Sequence, residues 1–403
     1  MVYTKKEVMQ YVNEEDVKFI RLAFCDAFGN QKNISIMPGE LMRAFESGIS
    51  IDASAISGFG GEVCSDLLLF PDPATLSVLP WRPAHGKVVR MFCSVIYPDG
   101  KPFESDSRRI LKEAVKTAFN AGYSFSFGSE LEFYLFKTDE NGSRTPETYD
   151  NAGYMDIAPM DKGENIRREI CLTLEQMGIN PESSHHEEGP GQNEIDFKFS
   201  DPLTAADNAV TFLSVVKTIA ARNGLYADFS PKPIADKPGN SFHINISLRS
   251  LKEDCDLFLH AIAGILNRIS DITVFLNPAE ASYERFGKHK APKYITWSPE
   301  NRSQLIRIPA ASGNYKRFEL RSPDPSANPY LAYALIIYAA LEGIKNKELP
   351  EDAVNANLYS LSENEKSSLK KLPETLSEAK KAAKSSEFIK ENIPEAMIKN
   401  YCG

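Results

Sequence analysis

The sequence lacks a long apolar run, a block of like charge, a paired-cysteine motif and a glycine-rich phosphate loop, and each absence excludes something. No stretch reads as long and apolar enough to span a bilayer, and residues 1–13 hold no signal-peptide core. A cytoplasmic protein with no membrane partner is therefore expected. The six cysteines (Cys25, Cys64, Cys93, Cys171, Cys255 and Cys402) are scattered without a C-x-x-C pair, which argues against a disulfide framework or a structural zinc site. Acidic and basic residues are interspersed at a formal net charge of −9, which argues against a nucleic-acid partner. No Walker A loop, kinase signature or G-x-G-x-x-G turn is present, and Phe59-Gly60-Gly61 signals only a turn. Any nucleotide must be held some other way.

What is there fits two domains, because 403 residues exceed one ordinary core. Thr4-Lys5-Lys6-Glu7 has capping-box spacing for a short helix. Apolar strands at 17–24 and 32–37 flank a turn at 26–30 and make a hairpin. A helix over 38–47, proline-broken segments at Pro71-Asp72-Pro73 and Trp81-Arg82-Pro83, and a strand over Lys87–Ile96 complete a small α+β unit, 1–103. From 104 to 403 the pattern changes. Ser107–Ala121 reads as an amphipathic helix stopped by Gly122, and 123–136 as a strand. Asp201-Pro202 opens a long helix that Gly224 closes, and a second long helix runs over 329–342 with Gly343 ending it. Residues 360–386, rich in Lys, Ser and Glu, read as surface helix and loop.

The chemistry sits in strands with ionisable groups at every second position, since side chains at i and i+2 share one face. Glu130-Leu131-Glu132-Phe133 points two carboxylates one way. Glu194-Ile195-Asp196-Phe197-Lys198, His243-Ile244-Asn245-Ile246-Ser247 and Arg317-Phe318-Glu319-Leu320-Arg321 follow the same rule. Any one of these segments could be a solvated strand face. Together they gather carboxylates, one imidazole and several arginines, and gathered carboxylates repel unless cations neutralise them. Mg²⁺ or Mn²⁺ would do so, and arginines suit phosphate and carboxylate. Glu187 and Glu194 stand seven apart across Gly189-Pro190-Gly191, a break that lets the chain fold back so that both reach one ion. Arg302 and Arg307 stand five apart in what reads as an apolar strand, with phosphate as the natural partner.

In order along the chain, these motifs resemble the glutamine synthetase family of the shorter bacterial type. The resemblance rests on Glu130-Leu131-Glu132-Phe133, Gly153-Tyr154-Met155-Asp156 and His185-His186-Glu187 through Gln192-Asn193-Glu194. It continues through Pro231-Lys232-Pro233 to His243, Asn301-Arg302-Ser303, and Glu319-Leu320-Arg321-Ser322-Pro323-Asp324-Pro325. It implies an α+β fold: an N-terminal β-grasp-like domain and a C-terminal catalytic domain with a curved antiparallel sheet. It also implies a homo-oligomeric ring with active sites between subunits. Glu132, Glu187 and Glu194 would hold one metal ion, and Glu130, His243 and Glu319 a second. Arg302, Arg307 and Arg317 would surround the ATP phosphates, with Ser247 on the nucleotide side. Arg285 and Arg321 would hold the carboxylates of glutamate or a similar acid, with Gly239 in the substrate loop. Asp52 would reach the ammonium site of a neighbouring subunit. The implied reaction is ATP-dependent ligation of a carboxylate to ammonia or an amine through an acyl phosphate.

Departures from the family pattern cluster at the acceptor. Lys290 stands before Ala291-Pro292 where the family carries a glutamate, in a loop one residue shorter. Ala55 replaces a serine near Asp52, Pro238-Gly239-Asn240-Ser241 replaces Asn-Gly-Ser-Gly, and Asn245 replaces a histidine. Retained phosphoryl chemistry with a changed acceptor, a primary amine or polyamine ahead of ammonia, is the expectation. The alternatives are a non-catalytic regulatory or structural ring and an unrelated metal phosphotransferase. The end at Gly403, short of the tail that the resemblance implies, leads to the expectation of a single ring or a looser stack in place of a double ring.

Overall fold

The computed structural model describes residues 3–60, 66–82, 85–252, 257–311 and 313–403; Cys64, Cys255, Gly61 and Pro83 lie outside them. The helix Lys5–Glu14 starts where the capping box requires, with Thr4 and Glu7 bonded reciprocally. It and the helix Leu41–Glu46, entered through a 3₁₀ turn at Pro38–Glu40, pack on a sheet. The strand order is Gln31–Ile36, Val17–Cys25, Lys87–Ile96, Asp66–Pro71, Ile49–Asp52, with Ser77–Val78 also on Lys87–Ile96. The hairpin is antiparallel, while Val17–Cys25 and Lys87–Ile96 run parallel, as in a β-grasp. Val8, Ile20, Leu22, Leu41, Leu69 and Met91 fill this first core.

The second sheet is built around the 16-residue strand Tyr123–Thr138. From one edge the order is Trp297–Pro299, Ile306–Ile308, Phe318–Leu320, Phe242–Ser250, Tyr123–Thr138, Gln192–Ser200, Pro181–His186. Leu225–Asp228 and Arg144–Thr148 extend it from the far half of the central strand. All pairs are antiparallel except Trp297–Pro299 with Ile306–Ile308, so the sheet is mixed and mostly antiparallel rather than antiparallel throughout. One face is apolar. Leu131, Phe133, Ile195, Phe242, Ile244 and Ile246 are buried beneath the helices Ser107–Ala121, Pro202–Arg222 and Pro329–Asn346.

Two expectations about helices need correction. Gly343 does not end its helix, which runs Pro329–Asn346 and stops at Lys347 with φ 53°. Gly343 lies against Gly264 of the helix Phe258–Leu276, and a Cβ there would stand 2.2 Å from the His260 carbonyl, so glycine serves close helix crossing and not a cap. The helix Phe258–Leu276 is itself long and apolar enough to cross a membrane, contrary to the first reading. Most of it is covered within the fold, against Pro329–Asn346 and Leu376–Ser385, as a core helix is.

The domains are joined by buried charge. Arg108 donates through Nε and Nη2 to Asp207, both at 2.9 Å, and through Nη1 to Asp72 of the first domain at 3.0 Å. Tyr330 adds a hydroxyl bond to Asp207 at 2.7 Å. Removing one partner from such a network costs about 3–5 kcal/mol. The hairpin turn docks beside it, where the Ala27 carbonyl accepts from Asn328 and Tyr401.

Candidate active site

Strand register builds the polar wall, because directly opposed residues of an antiparallel pair share a face. Glu132 lies opposite Glu194, which lies opposite His185. Glu130 lies opposite Asp196 on one side and His243 on the other. Asn245 lies opposite Glu319, and Glu319 opposite Arg307. Five strands thus bring Glu130, Glu132, Glu194, His243, Glu319 and Arg307 onto one face. Glu187 joins them from the hairpin end, where Gly191 at φ 69° lets the chain turn back.

The wall is densely bonded. His243 Nδ1 lies 3.2 Å from Glu130 and 3.6 Å from Glu319. Glu132 accepts from Gln192 Nε2 at 3.0 Å and from the Ser241 amide at 2.9 Å. Glu187 meets His185 Nε2 at 3.0 Å. Ligand atoms of Glu130, His243 and Glu319 fall within 4.8 Å of one another, as do those of Glu132, Glu194 and His243, and of His185, Glu187 and Glu194. Burial raises the Glu194 carboxyl well above its ordinary range, and the charges of Asp196, Glu132, Glu130 and Glu187 add to it. Asp196 is pushed up to about 7 by burial and by Glu130. Burial also works to raise Glu130, yet the hydrogen bond and charge of His243 hold it at about 2.

Beneath the wall is a second tier. Asp150 Oδ1 takes His186 Nε2 at 2.9 Å, while His186 Nδ1 meets the Glu187 carbonyl at 2.7 Å. Both ring nitrogens face acceptors, so both carry protons, and the fully buried imidazolium fixes the backbone of Glu187. Arg167, paired with Asp161 and bonded to Asn193, balances the second acid there.

Two cavities open on the wall. The larger, 710 Å³, is lined by Glu130, Glu132, Glu187, Glu194 and His243, with Arg302, Arg307, Arg317 and Arg321. The smaller, 270 Å³, is lined by Ser126, Ser247, Asn245, Phe199 and Tyr315. Glu130, Ser183, Asp196 and Arg317 line both, so the two share a wall. Arg317 donates to Asn245 Oδ1 at 2.9 Å, and Asn245 donates to Glu130 at 2.7 Å. Arg307 bonds Glu319 at 2.9 Å, and Arg321 also pairs with Glu319.

One expected residue is placed differently, and two others line neither cavity of this chain. Arg302 sits in a turn ahead of the short strand Ile306–Ile308 and not within a strand. Arg285 lies behind the wall at 1% exposure, donating to the Ser322 carbonyl at 3.1 Å and Ser241 Oγ at 2.9 Å, 3.7 Å from Asp324. It packs under Gly239, where a Cβ would meet the Pro231 carbonyl at 2.4 Å and Arg285 Cγ at 2.7 Å. Asp52 lines neither cavity; it ends the edge strand Ile49–Asp52 and caps Ser54 through N at 2.9 Å and Oγ at 2.6 Å. Sequence reasoning assigned no role to Gln192, Asp150, His186 or Glu188. The long-range partner of a buried acid such as Asp150 has no local signature.

The fold and this wall define a two-domain α+β enzyme of the ligase class. Residues 16–98 match the family described as glutamine synthetase, beta-Grasp domain, and 104–403 match glutamine synthetase, catalytic domain. The chain belongs to the glutamine synthetase family. It is a glutamine synthetase-like, ATP-dependent ligase of glutamate with ammonia or an amine. A Methanosarcina mazei protein named glutamine synthetase is 46% identical, over 99% of this chain and 92% of that protein. One of the same name from Clostridium saccharobutylicum is 45% identical over 99% and 93%. Among solved structures, a GmaS/ADP complex aligns at a TM-score of 0.89 and 27% identity, over 98% of this chain and 93% of that one.

Proposed function

We propose that the enzyme phosphorylates the side-chain carboxylate of glutamate with ATP and passes the acyl group to ammonia or a small primary amine. It would act in the cytoplasm as a homo-oligomeric ring, with two or more Mg²⁺ or Mn²⁺ ions per site. The observation that carries this reading is a wall on which register and the hairpin turn gather Glu130, Glu132, Glu187, Glu194 and Glu319 with His185 and His243, beside a cavity lined by four arginines. That donor set, hard oxygens with one imidazole and with Glu194 raised by its neighbours, fits divalent cations. Glu132, Glu187 and Glu194 would hold one ion, and Glu130, His243 and Glu319 another. When bound, the ions would supply positive charge against the phosphates.

The side chains then divide the work. Ser247 faces the nucleotide in the smaller cavity, and Arg317 stands where that cavity meets the larger one, with Arg302 and Arg307 beyond it. They stabilise charge on the transferring phosphate. Arg321 lines the larger cavity with a buried Nε that has no partner among the described residues, which suits a carboxylate of glutamate; Arg285 would act from behind the wall, through Ser241 and the Gly239 backbone packed on it. Asp52 would act at the amine from a neighbouring copy. Ammonia is the first acceptor to test, since relatives 42–46% identical are named glutamine synthetases. A primary amine is the second, favoured by Lys290 and Ala55.

The test is phosphate release with ATP, glutamate and Mg²⁺ or Mn²⁺ across ammonia and a panel of amines, with product masses. Metal-dependent release with formation of one amide is expected. Release without an amide, or a stable phosphorylated product, would overturn the reading.

A further inference from the structure

A small organic cation is held by a carboxylate and an aromatic face together. The larger cavity has such a pair at the margin of the metal-type cluster, formed by Glu188 and Tyr154, the first next in sequence to Glu187 and the second against His185. Both are already taken. Lys290 Nζ pairs with Glu188, and the same ammonium lies 5.6 Å from the centre of the Tyr154 ring. Tyr154 is steadied in turn by His185, edge to face at 5.4 Å. The loop that carries Lys290 is tied to itself. Gly287 N donates to the Ala291 carbonyl at 2.9 Å and Ala291 N to that of Lys288 at 3.0 Å. His289 and Lys290 turn into the cavity through positive φ of 45° and 68°.

We propose that Lys290 is a built-in cation that fills the cation-binding position of the acceptor pocket, so that the acceptor is taken as an uncharged amine. This rests on the ligase reading above. Within one copy of this chain, the other charged groups facing Lys290 leave no second position for a free cation. Glu187, with His185 beside it, belongs to the metal-type cluster, and Lys288 and His289 flank Lys290 on its own loop. Arg302 and Arg321 line the same cavity and are cationic. With a neutral amine the chemistry balances without a cation to deprotonate first. The nitrogen lone pair forms the C–N bond, the C–O bond to phosphate breaks, and the surplus proton leaves on the phosphate.

The experiment compares KM for ammonia, almost wholly ammonium near neutral pH, with KM for hydroxylamine, which is uncharged there and is scored as hydroxamate. In the wild type the ratio of the two, with ammonia counted as total, should fall about tenfold per pH unit between about pH 7 and 8.5. Lys290→Gln, which frees Glu188 and Tyr154, should lower KM for total ammonia at the acid end by about tenfold and flatten the slope. Tyr154→Leu in the Lys290→Gln background should reverse that gain. A flat wild-type ratio, or Lys290→Gln with unchanged KM and slope, would overturn the proposal while hydroxamate formation left the ligase reading standing. No hydroxamate from the wild type would overturn both.

Discussion

The two sides of the larger cavity are built by different means. One side is sheet: buried strands and residues locked opposite one another, with Glu132 held by Gln192 and the Ser241 amide. The other is loop: residues 286–290, with positive φ angles at Gly287, His289 and Lys290, and an ion pair whose lysine is half exposed. The register of a sheet cannot slip by one residue without turning every side chain to the other face, so the metal and phosphate chemistry is rigidly specified. A loop tolerates a deletion and a charge reversal, and the departure expected at Lys290 falls there, while the one expected at Asn245 falls on the sheet. On the function proposed above, chemistry would live on the sheet side and choice of acceptor on the loop side.

The largest expected effect breaks the sheet side. Glu194→Gln removes a proposed ligand and should lower kcat by about 10²–10³-fold or more, as loss of a preorganised charge does. The same variant should make the metal-free protein more stable, by about 1–3 kcal/mol at neutral pH, the range for relieving an unpaired buried polar group. The sign follows from Glu194, whose carboxyl is raised in the fold above its ordinary 4.5. The folded state then binds more protons than the unfolded one between those values, so metal-free stability falls as pH rises through that window. Thermal melts of wild type and variant, with and without Mg²⁺, check it. Mg²⁺ should raise the wild-type melting temperature more than that of Glu194→Gln. Equal melts with equal metal response would mean that the acids are not a cation site.

A smaller effect comes from beneath the wall. His186 touches no cavity, yet it ties Asp150 to the Glu187 backbone. His186→Asn should weaken metal affinity by about 10–100-fold, the usual cost of losing a group that orients a ligand. It should also destabilise the fold by about 3–5 kcal/mol, because Asp150 is left buried without its cation. Excess metal should restore kcat in this variant and not in Glu194→Gln. Failure of that rescue would show that His186 is only structural.

The difference between the two sides also decides what could be read in advance. Glu130, Glu132, Glu194, His243 and Glu319 were legible because a strand's period of two is a local property, and parity alone puts them on a face. Their pairing was not, since nothing local states that Glu132 opposes Glu194. Helix boundaries failed where a tertiary contact overrode a local signal. Gly343 has the look of a cap and is a crossing point, because its partner Gly264 lies 79 residues away. The Lys290–Glu188 pair spans 102 residues, and the replacement at Lys290 was visible while its partner was not. The contact of Asp150 with His186, 36 residues apart in unlike elements, had no local signature, although His186 stands in the His185-His186-Glu187 motif.

The smallest effect sharpens the comparison from the loop side. Gly287 sits at φ +78°, and an added Cβ would stand 3.2 Å from Lys293 Cδ. Gly287→Ala therefore asks an L-residue to hold a left-handed conformation, at about 1–2 kcal/mol. The loop can relieve that strain by loosening the Lys290–Glu188 contact, since a partly exposed ion pair holds only about 0–1 kcal/mol. The variant should shift KM for total ammonia in the direction of Lys290→Gln, by about two- to fivefold, less than 1.4 kcal/mol. Metal half-saturation should stay put, because no proposed ligand lies on residues 286–290. Steady-state kinetics with a metal titration separates the two. A change in metal affinity as large as that of His186→Asn would mean that loop and sheet yield as one unit, and that acceptor choice is not independent of the phosphoryl site.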